Sequence, residues 1–298
     1  MPLIRANGLD VHYTVEGAGP PLILLHGATS TAEEDWSAQR PLFRKAFRLY
    51  LVDAHGHGGT KWDVRDGFDR NMLVDDLLAF ADTLGLTTFH VVGFSMGAMT
   101  ALTFATRHPE RLRTAIICGI DIVREPRASV ARRLMDPERI MREEPEWAQQ
   151  LERRHGSVQG EGAWQRLLPA IATDVATAPL LTPQELRSIR LPVQLVYGDR
   201  DVFVPVDHAA AIHKQLPDSR LFICPNSPHQ VMVAQPALFN LAAGNFYRST
   251  EKIARQRAEQ GVHEPEPAHA GVGATVYDPT ALAAAVTEDD PSDPFHNW

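Results

Sequence analysis

Short β-branched and apolar runs alternate along this chain with longer amphipathic segments, the pattern of a parallel sheet whose strands are joined by crossover helices. The clearest runs are Pro21 to Leu25, Arg48 to Val52, Phe89 to Gly93, Thr114 to Cys118, Val193 to Tyr197 and Arg220 to Cys224. Their near-continuous apolar character predicts strands covered on both faces. Ahead of them, Ile4 to Ala6 and Val11 to Val15 flank Asn7-Gly8, a hairpin turn signal, so the sheet is expected to begin antiparallel. Met72, Leu73, Leu77, Phe80, Ala81 and Leu84 form one helical stripe, which Gly85 ends. A further helix is expected from Ala98 to Arg107 on its Ala, Met and Leu content.

Residues 121 to 190 interrupt the alternation. They hold no strand-like run, prolines recur at 126, 137, 145, 169, 179 and 183, and eleven acids are balanced by eleven arginines. This predicts a helical insertion between two sheet strands, with no net charge to favour a strongly ionic substrate. From Thr250 onward the composition shifts again, with nine acids against three bases, which leaves −2 for residues 1–249 out of a total of −8. That segment opens as a helix and continues through Glu264-Pro265-Glu266-Pro267 and a Gly/Ala stretch, a composition that buries little apolar surface. It reads as a solvated extension, or as one that Tyr277, Leu282, Phe295 and Trp298 dock on its own body or on a second copy of the chain. The expected division is a core of residues 1–120 and 191–249, a cap of 121–190, and an acidic extension of 250–298.

With 298 residues, 44% hydrophobic and 22% charged, the composition is that of an ordinary globular protein. No basic cluster marks a surface for phosphate backbones, so nucleic acid and anionic membranes are not expected partners, and a small molecule is. Cys118 and Cys224 each lie in an apolar run and read as reduced core residues. The opening Met1-Pro2-Leu3-Ile4-Arg5 is not a basic segment leading into an apolar one, and no run approaches the ~20 apolar residues of a membrane span. A cytoplasmic location is the expectation.

Immediately after the Phe89 to Gly93 run stands Gly93-Phe94-Ser95-Met96-Gly97, a G-x-S-x-G string between a strand and a helix. Small residues at 93 and 97 let the chain turn sharply enough to lift Ser95 above the sheet, and the helix behind it offers N–H groups to a developing oxyanion. A serine hydroxyl needs a base to take its proton. Of the thirteen histidines, His12, His90, His108, His155, His208 and His213 sit in strand or helix settings that suit surface or packing roles. His229 instead follows the last strand through Pro225-Asn226-Ser227-Pro228, on the sheet edge where Ser95 emerges. An orienting carboxylate is available in Gly198-Asp199-Arg200-Asp201, after the Val193 to Tyr197 run. Ser, Asp and His thus follow three separate strands in that chain order.

Jointly these motifs identify residues 3 to 249 as resembling the α/β-hydrolase superfamily. The resemblance implies an α/β fold with a mostly parallel eight-stranded sheet, flanking helices and a helical cap. It implies a triad of Ser95, Asp201 and His229, with Asp201 preferred to Asp199 because it stands four residues before Pro205. His26-Gly27-Ala28-Thr29 resembles the loop whose backbone N–H, here of Ala28, joins that of Met96 in the oxyanion hole. Asp53-Ala54-His55-Gly56-His57-Gly58 resembles the D-x-R-G-H-G loop with His55 in place of Arg, and Ser227-Pro228-His229 departs from the usual Gly before the His. His26, His55 and His57 are read as loop-bridging residues, and neither a metal nor a cofactor is implied. Trp147, Trp164, Leu167, Leu168, Leu180 and Leu181 of the cap are candidate pocket walls, although an aromatic or leucine stripe of this kind is more often core packing. The activity implied is hydrolysis of a small to medium carboxylic ester or lactone. Carbon–carbon bond hydrolysis or cofactor-free perhydrolase chemistry on the same triad is the alternative, and a weakly catalytic ligand receptor is the alternative of another class.

Overall fold

Asn7 and Gly8 both take positive φ, 48° and 76°, and close a two-residue hairpin between β1 (Leu3–Ala6) and β2 (Leu9–Glu16) in the computed structural model of the chain. The structure describes residues 2–63 and 67–259. Six further strands coincide with the apolar runs to within two residues at either end: β3 (Pro21–Leu25), β4 (Arg48–Val52), β5 (Phe89–Phe94), β6 (Leu112–Cys118), β7 (Val193–Gly198) and β8 (Ser219–Cys224). They form one eight-stranded sheet in the order β1-β2-β4-β3-β5-β6-β7-β8, antiparallel at β1/β2 and β2/β4 and parallel throughout the rest.

Strand alternation divides the core in two. Ile23, Leu25, Val91, Ile117 and Leu195 face one side, against α3 (Arg70–Thr83), α4 (Met96–Arg107), α9 (Pro183–Ser188) and α10 (Val206–Gln215). Leu22, Leu24, Val92, Ile116 and Val196 face the other, against Trp36, Phe43, Phe239, Phe246 and Tyr247. Those five side chains come from the segment holding α1 (Ala32–Asp35) and α2 (Arg40–Phe43), and from α12 (Pro236–Glu259), which follows the short α11 (Val231–Ala234). Both faces being covered explains why these strands read as continuous apolar runs. Cys118 and Cys224 are free and buried.

Between β6 and β7 the chain builds α5 (Arg127–Leu134), α6 (Pro137–Glu143), α7 (Pro145–Gln159), α8 (Trp164–Thr177) and α9, with no strand. Ile140, Leu151, Trp164, Leu167, Leu168 and Ile171 bury against one another and against Ala28, Leu73 and Met96 of the core. Position 250 is not a structural break, because α12 runs through it to Glu259. The rest of the acidic extension, including Tyr277, Leu282, Phe295 and Trp298, lies outside the described residues. Among those described, no helix is long and apolar enough to cross a membrane.

The strand order places the site. Chain progress reverses direction across the sheet at β3, which lies between β4 and β5, with Leu25 in register with Gly93. In open α/β sheets the crevice at the carboxyl ends of such a switch point is where ligands bind. The loop after β3 carries His26 to Ala28 and the turn after β5 carries Ser95, so the two are delivered side by side.

Candidate active site

Ser95 caps α4 with φ 49° and ψ −107°, a conformation that costs an L-residue energy and is held by its surroundings. Its N–H donates to the Cys118 carbonyl at 2.8 Å, and the Gly97 N–H donates to the His26 carbonyl at 3.1 Å. A Cβ at Gly97 would stand 2.6 Å from the Leu25 carbonyl carbon, and one at Gly93 would collide with the Gly97 carbonyl, so the turn closes only with glycine at both. The Ser95 side chain makes no capping hydrogen bond and borders a cavity between the sheet edge and the cap.

His229 Nδ1 lies 2.7 Å from Asp201 Oδ2. The other Asp201 oxygen accepts from the Phe203 and Val204 N–H groups, at 2.7 and 3.2 Å. That carboxylate is therefore fixed by its own turn, with its free face on the imidazole. Asp199 is occupied elsewhere, accepting from the Ser227 N–H at 3.1 Å and so anchoring the loop that carries His229. The imidazole lies between Phe203 and Phe94, with ring centroids 4.4 and 4.9 Å away. His229 Nε2 is buried and without a hydrogen-bond partner. The structure thus joins His229 to Asp201 and leaves no hydrogen bond between Nε2 and Ser95.

Gly119 completes the seat. It has φ +67°, and a Cβ there would lie 2.8 Å from His229 Cε1. Sequence reasoning missed it, and the only signal was a glycine directly after a strand.

Neither the Ala28 N–H nor the Met96 N–H has a backbone partner among the described residues, and both residues border the cavity with Ser95. The Ala28 loop is held from three sides. Asp35 Oδ2 accepts from the Gly27 N–H at 2.8 Å, His26 Nε2 accepts from the Ala54 N–H at 2.9 Å, and His57 Nε2 is 2.9 Å from the Ala28 carbonyl. Asp35 is a second residue the sequence did not reveal. Its burial pushes the carboxyl above the ordinary range. His55, in the position the resemblance gives to Arg, pairs through Nδ1 with Asp76 Oδ2 at 3.0 Å.

Of the surface and packing roles expected for His155 the structure shows packing: it is fully buried, and its Nδ1 accepts from the Gly58 N–H at 3.1 Å, tying the cap to the loop after β4. The clue was its place four residues after Leu151, on the buried stripe of α7. Core packing is also what the structure shows for Trp164, Leu167, Leu168 and Leu181, and none of these, nor Trp147 or Leu180, lines the cavity that Ser95 borders; its apolar walls include Phe68, Leu73, Met99, Ala131, Met135, Ile171, Val175 and Phe203. Ile171 and Val175 continue the Trp164-Leu167-Leu168 stripe of α8, whose N-terminal half packs within the cap while its C-terminal half reaches the cavity.

Burial lowers the imidazole of His155 to about 4 and that of His57 well below its usual range, so both are neutral in the folded protein. The unfolded chain takes up those protons near pH 6.5. Below that pH it binds more protons than the folded state, so the stability these two residues contribute is complete above pH 6.5 and is lost as pH falls. The slope is about 1.4 kcal/mol per pH unit for each group. Calorimetry should show the melting temperature falling steeply from pH 6.5 to 4, and His155→Asn, which keeps an acceptor for Gly58, should make that fall shallower. An unchanged slope in the variant would refute this assignment.

Residues 22–243 match the family described as "Alpha/beta hydrolase family". Among characterised proteins, the chain is similar to serine hydrolase BPHL of Homo sapiens, 25% identical over 82% of this chain and 84% of that one. It is also similar to the 2-hydroxy-6-oxo-2,4-heptadienoate hydrolase of Pseudomonas putida, 24% identical over 82% of this chain and 95% of that one. Its fold resembles the crystal structure of the enol-lactonase from Burkholderia xenovorans LB400, with a TM-score of 0.67 and 21% identity over 82% of this chain and 99% of that one.

Proposed function

Because this chain belongs to the alpha/beta hydrolase family, we propose that it is a serine hydrolase cleaving small to medium carboxylic esters or lactones through an acyl-enzyme. Ser95 Oγ attacks the carbonyl carbon while His229 Nε2 takes its proton, and Asp201 holds the ring with Nδ1–H toward itself and stabilises the imidazolium. The Ala28 and Met96 N–H groups receive the oxyanion; one such donor is commonly worth about 10²- to 10³-fold in turnover. The protonated His229 then gives its proton to the departing alcohol, and a water activated at the same Nε2 releases the acid.

The observation that carries this reading is the state of His229: Nδ1 is committed to Asp201, while Nε2 is buried and unpartnered. A buried imidazole nitrogen left open next to a strained serine turn suits a base awaiting a proton. Hydrogen bonds of this kind often tighten only once substrate is bound. Apolar side chains beside Ser95 in this cavity, Phe68, Leu73, Met99 and Phe203 among them, suit contact with an acyl group.

A second reading, carbon–carbon bond hydrolysis on the same residues, is favoured by the name of the Pseudomonas putida relative. A substrate panel separates the two. Wild type should take a fluorophosphonate label and hydrolyse p-nitrophenyl acetate to laurate with a maximum at short or middle lengths. Labelling without turnover of any ester, together with cleavage of a 2-hydroxy-6-oxo-dienoate, would replace the first reading by the second. Absence of labelling would remove both.

A further inference from the structure

Arg127 opens the first helix of the cap, is only 7% exposed and borders the same cavity as Ser95. Its Nη1 is enclosed and has no hydrogen-bond partner among the described residues. Burying a guanidinium without a counter-charge is costly, so buried arginines are ordinarily paired. The groups around this one are committed elsewhere. Asp174 receives Arg70 Nε and Nη2, at 3.3 and 3.1 Å, and also the Arg70 N–H at 3.2 Å. Asp121 is taken by His208 Nδ1 at 2.7 Å and the Val123 N–H at 2.9 Å. Arg124 donates to the main-chain carbonyls of Ala176 and Ala178. Burial lowers Arg127 to about 10, which leaves it cationic at neutral pH. The balanced charge of the insertion therefore conceals one buried cation that, although Asp121 and Asp174 lie nearby, makes no ion pair or side-chain hydrogen bond with any described residue.

We propose that Arg127 binds the carboxylate of the substrate, so that the preferred esters are those of dicarboxylic acids, with the scissile carbonyl at Ser95 and the free carboxylate at Arg127. This rests on the reading of Ser95 as nucleophile. The corner supplies one uncommitted cation, which a monoanionic carboxylate matches and a phosphate dianion would exceed. Ala131, Met135, Ile171 and Val175, which line the same cavity, are apolar and suit the methylene chain between the two ends. Ser95 forms the ester with the acyl carbon, the alcohol leaves with the proton from His229, and water releases the dicarboxylate.

The test compares monoethyl succinate, glutarate and adipate with ethyl butanoate, pentanoate and hexanoate, each pair differing only in carboxylate against methyl. Wild type should favour the half-ester of the best length by roughly 100-fold in kcat/KM. Arg127→Met should lose that preference because its kcat/KM falls far more on the half-esters than on the neutral esters, and it should melt no lower than wild type, since it removes a buried charge that has no hydrogen-bond partner. Calorimetric titration with the free dicarboxylates needs no turnover: wild type should bind one of them and Arg127→Met should not. Active wild type with no preference and no dicarboxylate binding would overturn the proposal and leave the hydrolase reading intact. Arg127-dependent dicarboxylate binding by a protein that no fluorophosphonate labels would support the subsite and overturn the nucleophile. An Arg127→Met protein that melts lower and slows on both ester series alike would assign Arg127 a structural role and overturn the proposal.

Discussion

Ser95→Ala should lower kcat on any ester the protein hydrolyses by roughly 10⁴- to 10⁶-fold, with KM little changed. The variant also tests whether the serine has a structural role. The bonds that hold the turn, from the Ser95 N–H to the Cys118 carbonyl and from the Met99 N–H to the Ser95 carbonyl, are main-chain to main-chain and survive the substitution. The side chain makes no capping hydrogen bond, and alanine meets the same penalty as serine at φ 49°. Stability should therefore stay within about 0.5 kcal/mol of wild type in urea denaturation. Activity and fluorophosphonate labelling should disappear together. A loss of less than tenfold in kcat would mean that the nucleophile lies elsewhere.

The second large effect separates two carboxylates only two residues apart. Asp201→Asn leaves an acceptor for Phe203 and Val204, but it presents His229 with an amide that can hold the wrong tautomer, so kcat should fall by about 10⁴. Asp199→Asn keeps an oxygen for the Ser227 N–H and meets no imidazole, and it should cost less than about tenfold. The comparison is read in kcat at a pH where wild type is fully active. Equal losses, or a greater loss at 199, would move the orienting role away from Asp201.

The strands, the hairpin and the serine turn were legible because each imposes a strict local demand. A strand covered on both faces needs an unbroken apolar run, the tight turn needs positive φ at Asn7 and Gly8, and the approach of α4 to β3 leaves no room for a Cβ at Gly97. His229 could be picked out by its place after the last strand. What stayed hidden depends on which element packs against which. The stripe on α8 announces a buried face but does not say that Trp164 meets other cap helices while Ile171 and Val175 meet a cavity. Gly119 looks like any glycine ending a strand until the His229 ring is seen against it. Arg127 escaped notice because net charge is a sum, and a sum of zero does not reveal that Asp174 and Asp121 already hold Arg70 and His208.

Strand β6 contributes none of the proposed triad, yet its end supports two of its members: the Cys118 carbonyl holds Ser95 and Gly119 makes room for His229, immediately before the chain leaves for the cap. In an evolving lineage this separates two kinds of freedom. The helices from Arg127 to Ser188 can be rebuilt to admit new substrates as long as the chain departs after Gly119 and returns at Val193. Gly119, at the departure itself, cannot drift with them, because a side chain there would collide with the His229 ring. Selection for a new substrate would thus rewrite the insertion while leaving its point of attachment unchanged.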